Sequence, residues 1–254
     1  IQFPEGEVSS SDISPDDFYN RLRAMSPHIP TTSQPSVGTF THLYQQAADA
    51  GEDVLSIHIS SGLSGTFNTA QLAQRQMPQA RVTLVDTLTL SCAQRFQVLA
   101  AAMAVRAGWD RARIIERLDA IRAATEIVFT LETLEYLARG GRIGRVQAIA
   151  GSILQIKPVI TVEKTDGKYN TLSKGRTLGQ TMNFMSTYLG AAFVGQPVWA
   201  TVVHGQLPDK AEAFSADLRA RLNVARLDVI RAAPVLGVHT GPGLVGAGVL
   251  ALAL

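Results

Sequence analysis

The chain has 254 residues, 46% of them apolar and 17% charged, with a formal net charge of +2. That balance suffices for one large core or two modest ones and excludes a disordered chain. A pI of about 8.8 is too mild a signal for nucleic-acid binding, so no nucleic-acid partner is expected.

Cys92 is the only cysteine, which excludes an intrachain disulfide and fits a reducing, cytoplasmic compartment. The longest strongly apolar runs, Val98 to Val105 and Val245 to Leu254, are too short for a membrane span, so stable membrane insertion is not expected. No signal-peptide pattern opens the chain.

Ser14 and Pro15 form a helix start, with a capping hydroxyl followed by proline at the first helical position. Phe18, Leu22 and Met25 then share a face, and Pro27 and Pro30 end the helix. The polar loop Thr31 to Ser36 precedes a second helix from about Val37 to Ala50, stopped by Gly51. Val54 to Ile59 reads as a strand that feeds Ser60-Ser61-Gly62-Leu63-Ser64-Gly65-Thr66 and a helix from about Phe67 to Gln76. Arg81 to Val85 is a further strand, followed by helices at about Ser91 to Ala107 and Asp110 to Ala123. Strand, polar loop and helix alternate as in a parallel sheet, whose binding loops lie beyond the carboxyl ends of the strands.

The rhythm changes near Ala124. A short strand, Ile127 to Thr130, precedes a helix from about Leu131 to Ala138 that ends at Gly140-Gly141. Asp166-Gly167 between Pro158 to Glu163 and Lys168 to Leu172 is a hairpin signal, which makes the second sheet mixed or antiparallel. Helix, strand, helix and strand follow at about Thr177 to Leu189, Val198 to Val203, Asp209 to Leu222 and Leu227 to Ile230, and the apolar stretch from Leu244 returns to the sheet. The expected organisation is two α/β lobes: residues 1–123 around a parallel α/β/α sheet, and residues 124–254 around a mixed or antiparallel sheet with helices.

Four segments carry the chemistry. Ser60 to Thr66 clusters hydroxyls and glycines before a helix, where glycine lets the backbone approach closely and Ser64 adds a hydroxyl. A carboxylate or a phosphate fits such a loop, and so does plain helix capping. In Thr32-Ser33-Gln34-Pro35-Ser36, Thr32 or Ser33 can reach the same anion, or the segment is a surface cap. The double glycine before Arg142 stops a helix and offers a bidentate guanidinium fork. His239, read as lying at a strand end, is either a donor to an anion or a structural histidine. Arg176 is a helix-start surface residue or part of a basic docking face. Residues 138 to 180 hold eight Lys or Arg against Glu163 and Asp166, a patch suited to an anionic partner or simply solvated.

Catalytic signals are weaker. No metal-ligand spacing, Walker loop, dinucleotide fingerprint or Gly-x-Ser-x-Gly elbow occurs, so no metal, cofactor or catalytic set is expected. Asp86 at a strand end suits a turn better than a general base. The rival reading is a stand-alone serine- or cysteine-dependent acyl hydrolase or transferase using Ser64 or Cys92 with His239 as base.

Together, Thr32 to Ser36, Ser60 to Thr66, Asp86-Thr87, Leu134 to Gly144, Leu154-Gln155-Ile156-Lys157-Pro158 and His239 to Gly243 resemble, in order, the signature segments of the DegV family. The resemblance implies two α/β lobes with a long-chain fatty acid in a cleft between them. It also implies a non-enzymatic carrier that presents the acid to an ATP-dependent fatty acid kinase for phospholipid synthesis. It places carboxylate contacts on Thr32 and Ser64, with His239 nearby and Ser33 and Ser61 as looser contributors. Arg142 and Arg176 become the positive groups tied to the kinase or to phosphoryl transfer. Two departures stand out. The family's usual first strand, with its Asp-Ser-rich turn, is expected to be missing ahead of Ile1, and a glycine stands before Arg176.

Overall fold

A computed structural model describes residues 1–147 and 156–253. They group into two compact units: a larger one of Ile1–Thr32, Ala124–Val162 and Tyr169–Leu254, and a smaller one of Ser33–Ala123 and Glu163–Lys168.

The smaller unit is built on a parallel pair, β3 (Asp53–His58) and β4 (Arg81–Asp86), in register from Asp53↔Arg81 to His58↔Asp86. Side chains alternate across the pair and feed two helical layers. Val54, Val82 and Leu84 face α2 (Val37–Asp49) and α3 (Thr66–Gln76), where Phe40, Tyr44, Ala70, Ala73 and Met77 close the core. Leu55, Ile57 and Val85 face α4 (Ser91–Arg106) and α5 (Arg111–Ala123), packed on Ala101, Ala104, Ile114 and Leu118. Ser36 caps α2 by accepting from the Thr39 amide at 3.1 Å. This is the parallel α/β/α arrangement expected from the alternation of strand and helix.

The larger unit carries a six-stranded sheet of order β7-β6-β5-β10-β8-β9. Its strands are β5 (Thr125–Leu131), β6 (Lys157–Val162), β7 (Tyr169–Gly175), β8 (Pro197–His204), β9 (Asn223–Arg231) and β10 (Leu244–Ala251). All neighbours are antiparallel except β8 and β9, which are joined through helix α8 (Pro208–Arg221), as a parallel crossover requires. β10 is buried along its whole length between β5 and β8. Val128, Val159, Val198, Ala200, Val202, Val245 and Val249 pack from the sheet onto α8 and α7 (Leu178–Ala192), which supply Phe214, Leu218, Met185 and Leu189.

The division differs from the expected 1–123 and 124–254. Residues 1–32 pack with the larger unit because their apolar face finds its partner there. A small ladder, β1 (Gln2–Phe3) with β2 (Gly6–Glu7), leads to α1 (Pro15–Ala24), capped by Ser14. Phe18 and Tyr19 of α1 are fully buried against Gly237, and Asp16 pairs with Arg231 at 2.6 Å.

Two further expectations are corrected. The helix read from about Leu131 to Ala138 is only α6 (Glu135–Arg139), because Leu131 completes β5 by pairing with Leu244. His239 lies not at a strand end but in helix α9 (Pro234–Thr240), which has proline at its first position. Leu154 and Gln155 of the fifth signature segment fall outside the described residues; Lys157 and Pro158 open β6.

Candidate ligand site

In the larger unit, three predicted site residues come together. Thr32 Oγ1 is hydrogen-bonded to His239 Nε2 at 2.8 Å, across 207 positions of sequence. Arg142 lies near enough to the imidazole for its charge to act on it. Each is held by local structure. The neighbouring Thr31 is clamped by reciprocal backbone bonds with Gln2, at 2.8 and 3.2 Å. The Gly140-Gly141 stop ends α6 in a double-bonded turn: the Arg142 amide donates to Leu137 O at 2.9 Å and the Gly141 amide to Ala138 O at 3.1 Å. Gly141 takes the left-handed φ of +69° that this turn requires. The turn brings Arg142 round so that its Nη1 donates to the Gly140 carbonyl at 2.8 Å.

The histidine is tightly seated. A side chain at Gly140 would collide with His239 Nδ1, and one at Gly241 would collide with the Tyr136 ring. Burial, with the Arg142 charge adding to it, holds the His239 pKa down to about 4, so the ring is neutral at pH 7. Nδ1 is buried and has no hydrogen-bond partner among the described residues. Tyr169 is buried nearby, edge-on to Phe129 at 5.4 Å; burial raises its hydroxyl pKa, and Arg142 opposes that rise. Arg176 stands exposed before α7, its backbone amide donating to Gln180 Oε1 at 2.8 Å.

In the smaller unit, the Ser60 to Thr66 loop satisfies much of its own polarity. The Ser61 amide donates to the Asp86 carboxylate at 3.2 Å, and the Gly62 amide to Ser60 Oγ at 3.1 Å. Ser64 Oγ pairs with Thr66 Oγ1 at 2.8 Å and accepts from the Thr66 amide at 3.2 Å. Asp86 also accepts from the Leu88 amide at 3.1 Å, which is turn duty. Buried Ser60 donates to Gly167 O at 2.8 Å. Gly65 opens α3 with the Gln34 amide group against it, Ser33 is exposed, and Cys92 is buried.

The sequence reading missed a second polar chain in this unit. Tyr44 Oη meets Ser56 Oγ at 2.9 Å, which meets His58 Nε2 at 2.7 Å, beneath Phe40. Burial lowers the His58 pKa and the Asp86 charge opposes the shift. The available signal was Ser56 and His58 at i, i+2 on one strand face. Tyr136, Gly140 and Tyr169 were missed as well, and only Gly140 carried a signal, which reads as a helix stop.

Among the described residues, no group of three His, Cys, Asp or Glu side chains is placed to hold a metal, and no helix is long and apolar enough to cross a bilayer.

A family model described as "Uncharacterised protein, DegV family" matches residues 1–252. A DegV domain-containing protein of Deinococcus radiodurans is 37% identical over 247 residues, covering 97% of this chain and 85% of its own. One from Streptomyces coelicolor is 38% identical, covering 85% and 76%. Among solved structures, a DegV family protein from Thermus thermophilus described by its fatty acid binding superposes with a TM-score of 0.86 at 32% identity, covering 95% of this chain and 85% of its own. DegV of Bacillus subtilis, described as a fatty acid binding protein, gives 0.84 at 28% identity with the same coverage. A stearic acid-binding protein from Eubacterium ventriosum gives 0.84 at 26%, covering 94% and 84%. With the fold, the ordered segments and a match along nearly its whole length, the chain belongs to the DegV family.

Proposed function

We propose that this chain binds a long-chain fatty acid and carries it unmodified, receiving the carboxylate at Thr32, which His239 holds in place, beside Arg142. The observation that carries the reading is the Thr32–His239 hydrogen bond next to a cation. Neutral donors plus one guanidinium match a carboxylate's single charge better than the nearly two charges of a phosphate monoester. Burying the tail contributes about 0.8 kcal/mol per methylene, whereas the head must be hydrogen-bonded because an unpaired buried carboxylate is very costly. The fatty acid binding described for the related Thermus, Bacillus and Eubacterium proteins supports the same reading. Ser33, Ser61, Ser64 and Gly65 are proposed as further ligand contacts. The lone Cys92 and this role together suit the cytoplasm.

The hydrolase reading is weaker. A histidine held near pKa 4 lies far below the neutral range in which a general base works best, and its partner is Thr32, not Ser64 or Cys92. Presentation of the acid to an ATP-dependent fatty acid kinase is the finer part of the proposal, with Arg142 and Arg176 serving the transfer.

Mass spectrometry of the organic extract of denatured protein tests the carrier role. Fatty acid is expected, and a protein that stays lipid-free when offered acyl chains of varied length sinks it, as does turnover of acyl esters by the isolated chain. Ser64→Ala is expected to weaken oleate binding by roughly 1 to 3 kcal/mol in calorimetric titration, and unchanged affinity removes Ser64 from the site. Arg176→Ala is expected to retain loading while impairing acyl phosphate formation with the kinase.

A further inference from the structure

We propose that Gly140 is a positioning residue that fixes which nitrogen of His239 carries the proton, and thereby makes Thr32 a donor to the ligand. The inference rests on the fatty acid reading only for its last step, the donation to a carboxylate.

A neutral imidazole has one N–H, on Nδ1 or on Nε2. Nε2 faces Thr32 Oγ1 at 2.8 Å, and a bond forms there with either tautomer. The difference lies at Nδ1, which is buried, rests on the bare Cα side of Gly140 and meets no partner among the described residues. An orphaned buried N–H is rarer and more costly than an under-used acceptor. The Arg142 guanidinium is anchored on the carbonyl of the same glycine, and its charge acts on the ring. The buried, unpartnered Nδ1 therefore carries the lone pair, and the proton sits on Nε2.

The consequence passes to Thr32. With Nε2–H donating, Oγ1 is the acceptor in this bond, and the hydroxyl proton must point elsewhere. Thr32 is thereby committed as a donor, the role that a carboxylate needs. With the proton on Nδ1, Thr32 would spend its proton on Nε2 and present only lone pairs to an anion. Gly140 governs the choice because only a residue without a Cβ admits the ring with Nδ1 turned to this unpartnered place. Its backbone is ordinary, with φ −74° and ψ −4°, so conformation gives no reason for a glycine; space does. Any Cβ there meets the imidazole, with Tyr136 O next nearest at 2.9 Å.

Long-range 1H–15N correlation of histidine-labelled, delipidated wild-type protein at pH 7 reads the tautomer directly. A pyridine-like Nδ1 and a pyrrole-like Nε2 are expected for His239, and the reverse overturns the proposal whatever the protein binds. A second arm uses oleate as probe. Gly140→Ala is expected to disturb the His239 nitrogen shifts and weaken oleate binding roughly tenfold to a hundredfold, the span of a hydrogen bond to a charged group. In a His239→Ala background, where the ring is gone, the same change is expected to cost about twofold or less. Equal losses in both backgrounds would mean that Gly140 acts through the Tyr136 backbone, and would overturn its role. If Gly140→Ala alone fails to fold while the double variant folds, the collision with the ring is confirmed; if both fail, the wild-type shifts decide. A wild type that ignores oleate removes the fatty acid reading and leaves the tautomer result to judge Gly140.

Discussion

Acidification provides a test of how His239 is held. Its folded pKa of about 4 lies below its ordinary value of 6.5, because burial first and the Arg142 charge second disfavour the imidazolium. The unfolded chain therefore takes up the proton at higher pH than the folded one. His239 contributes stability that is fully present above about pH 6.5 and declines as the pH falls toward 4, below which both states are protonated. At about 1.36 kcal/mol per pH unit the full window gives roughly 3 kcal/mol; the ring is partly exposed, and solvent screening brings the expected loss to about 2 kcal/mol. His239→Gln removes the titration. Urea unfolding of both proteins from pH 7 to pH 4 should show the wild-type advantage shrinking by about 2 kcal/mol across that window. His58 and His204 also have lowered pKa values, both mainly from burial, but they titrate in both proteins and cancel in the difference. Trp109 lies in the smaller unit and Trp199 in the larger, so in a Trp109→Phe background the fluorescence of Trp199 reports the unit that holds His239. A wild-type advantage that stays constant from pH 7 to pH 4 would refute the neutral, buried histidine.

Packing and loop chemistry give two more tests. Gly237→Ala places a methyl 2.5 Å from Phe18 Cε1 and 2.8 Å from the Tyr19 hydroxyl, and is expected to destabilise the larger unit by about 1 to 3 kcal/mol; an unchanged melting temperature would show that α1 does not pack on α9 as described. Ser60→Ala strips a donor from Gly167 O and an acceptor from the Gly62 amide inside a buried loop, at a cost of roughly 1 to 3 kcal/mol. Hydrogen exchange at the Gly62 amide should quicken, and unchanged protection there would mean that the loop is held by other means.

Elements whose signals are local were legible in the sequence. The Ser14 and Ser36 caps, the Asp166-Gly167 turn and the alternation in residues 54–85 each specify their element through neighbours a few positions away. What was lost depends on distant pairing. Leu131 has the pattern of a helix start, yet the ladder with Leu244 claims it for β5. The grouping of residues 1–32 with the larger unit is invisible locally, because Phe18 and Tyr19 identify a buried face but not the surface that buries it. α9 went unread although Pro234 suits a first helical position, since Gly237 inside it and Gly241-Pro242-Gly243 after it resemble loop punctuation.

The same ambiguity governs the site. Thr32, Arg142 and His239 were each singled out as residue types, but a bond across 207 positions has no local signature. What the folded chain adds is the reason for the glycines among them. A glycine in a signature segment has two physical readings, and the backbone separates them. Gly141, at φ +69°, is required by conformation, and a sequence reader who assigns it to a helix stop is correct. Gly140 has a helical backbone that almost any residue could adopt, so its lack of a side chain must be explained by what occupies the space, and that occupant is the His239 ring. Gly237 repeats the case inside α9, where Phe18 and Tyr19 take the volume. A glycine with no conformational reason and no room for a Cβ therefore marks a place where distant segments touch closely: Gly140 and Gly237 do so around His239, and Gly205, Gly243 and Gly246 do so elsewhere in the larger unit.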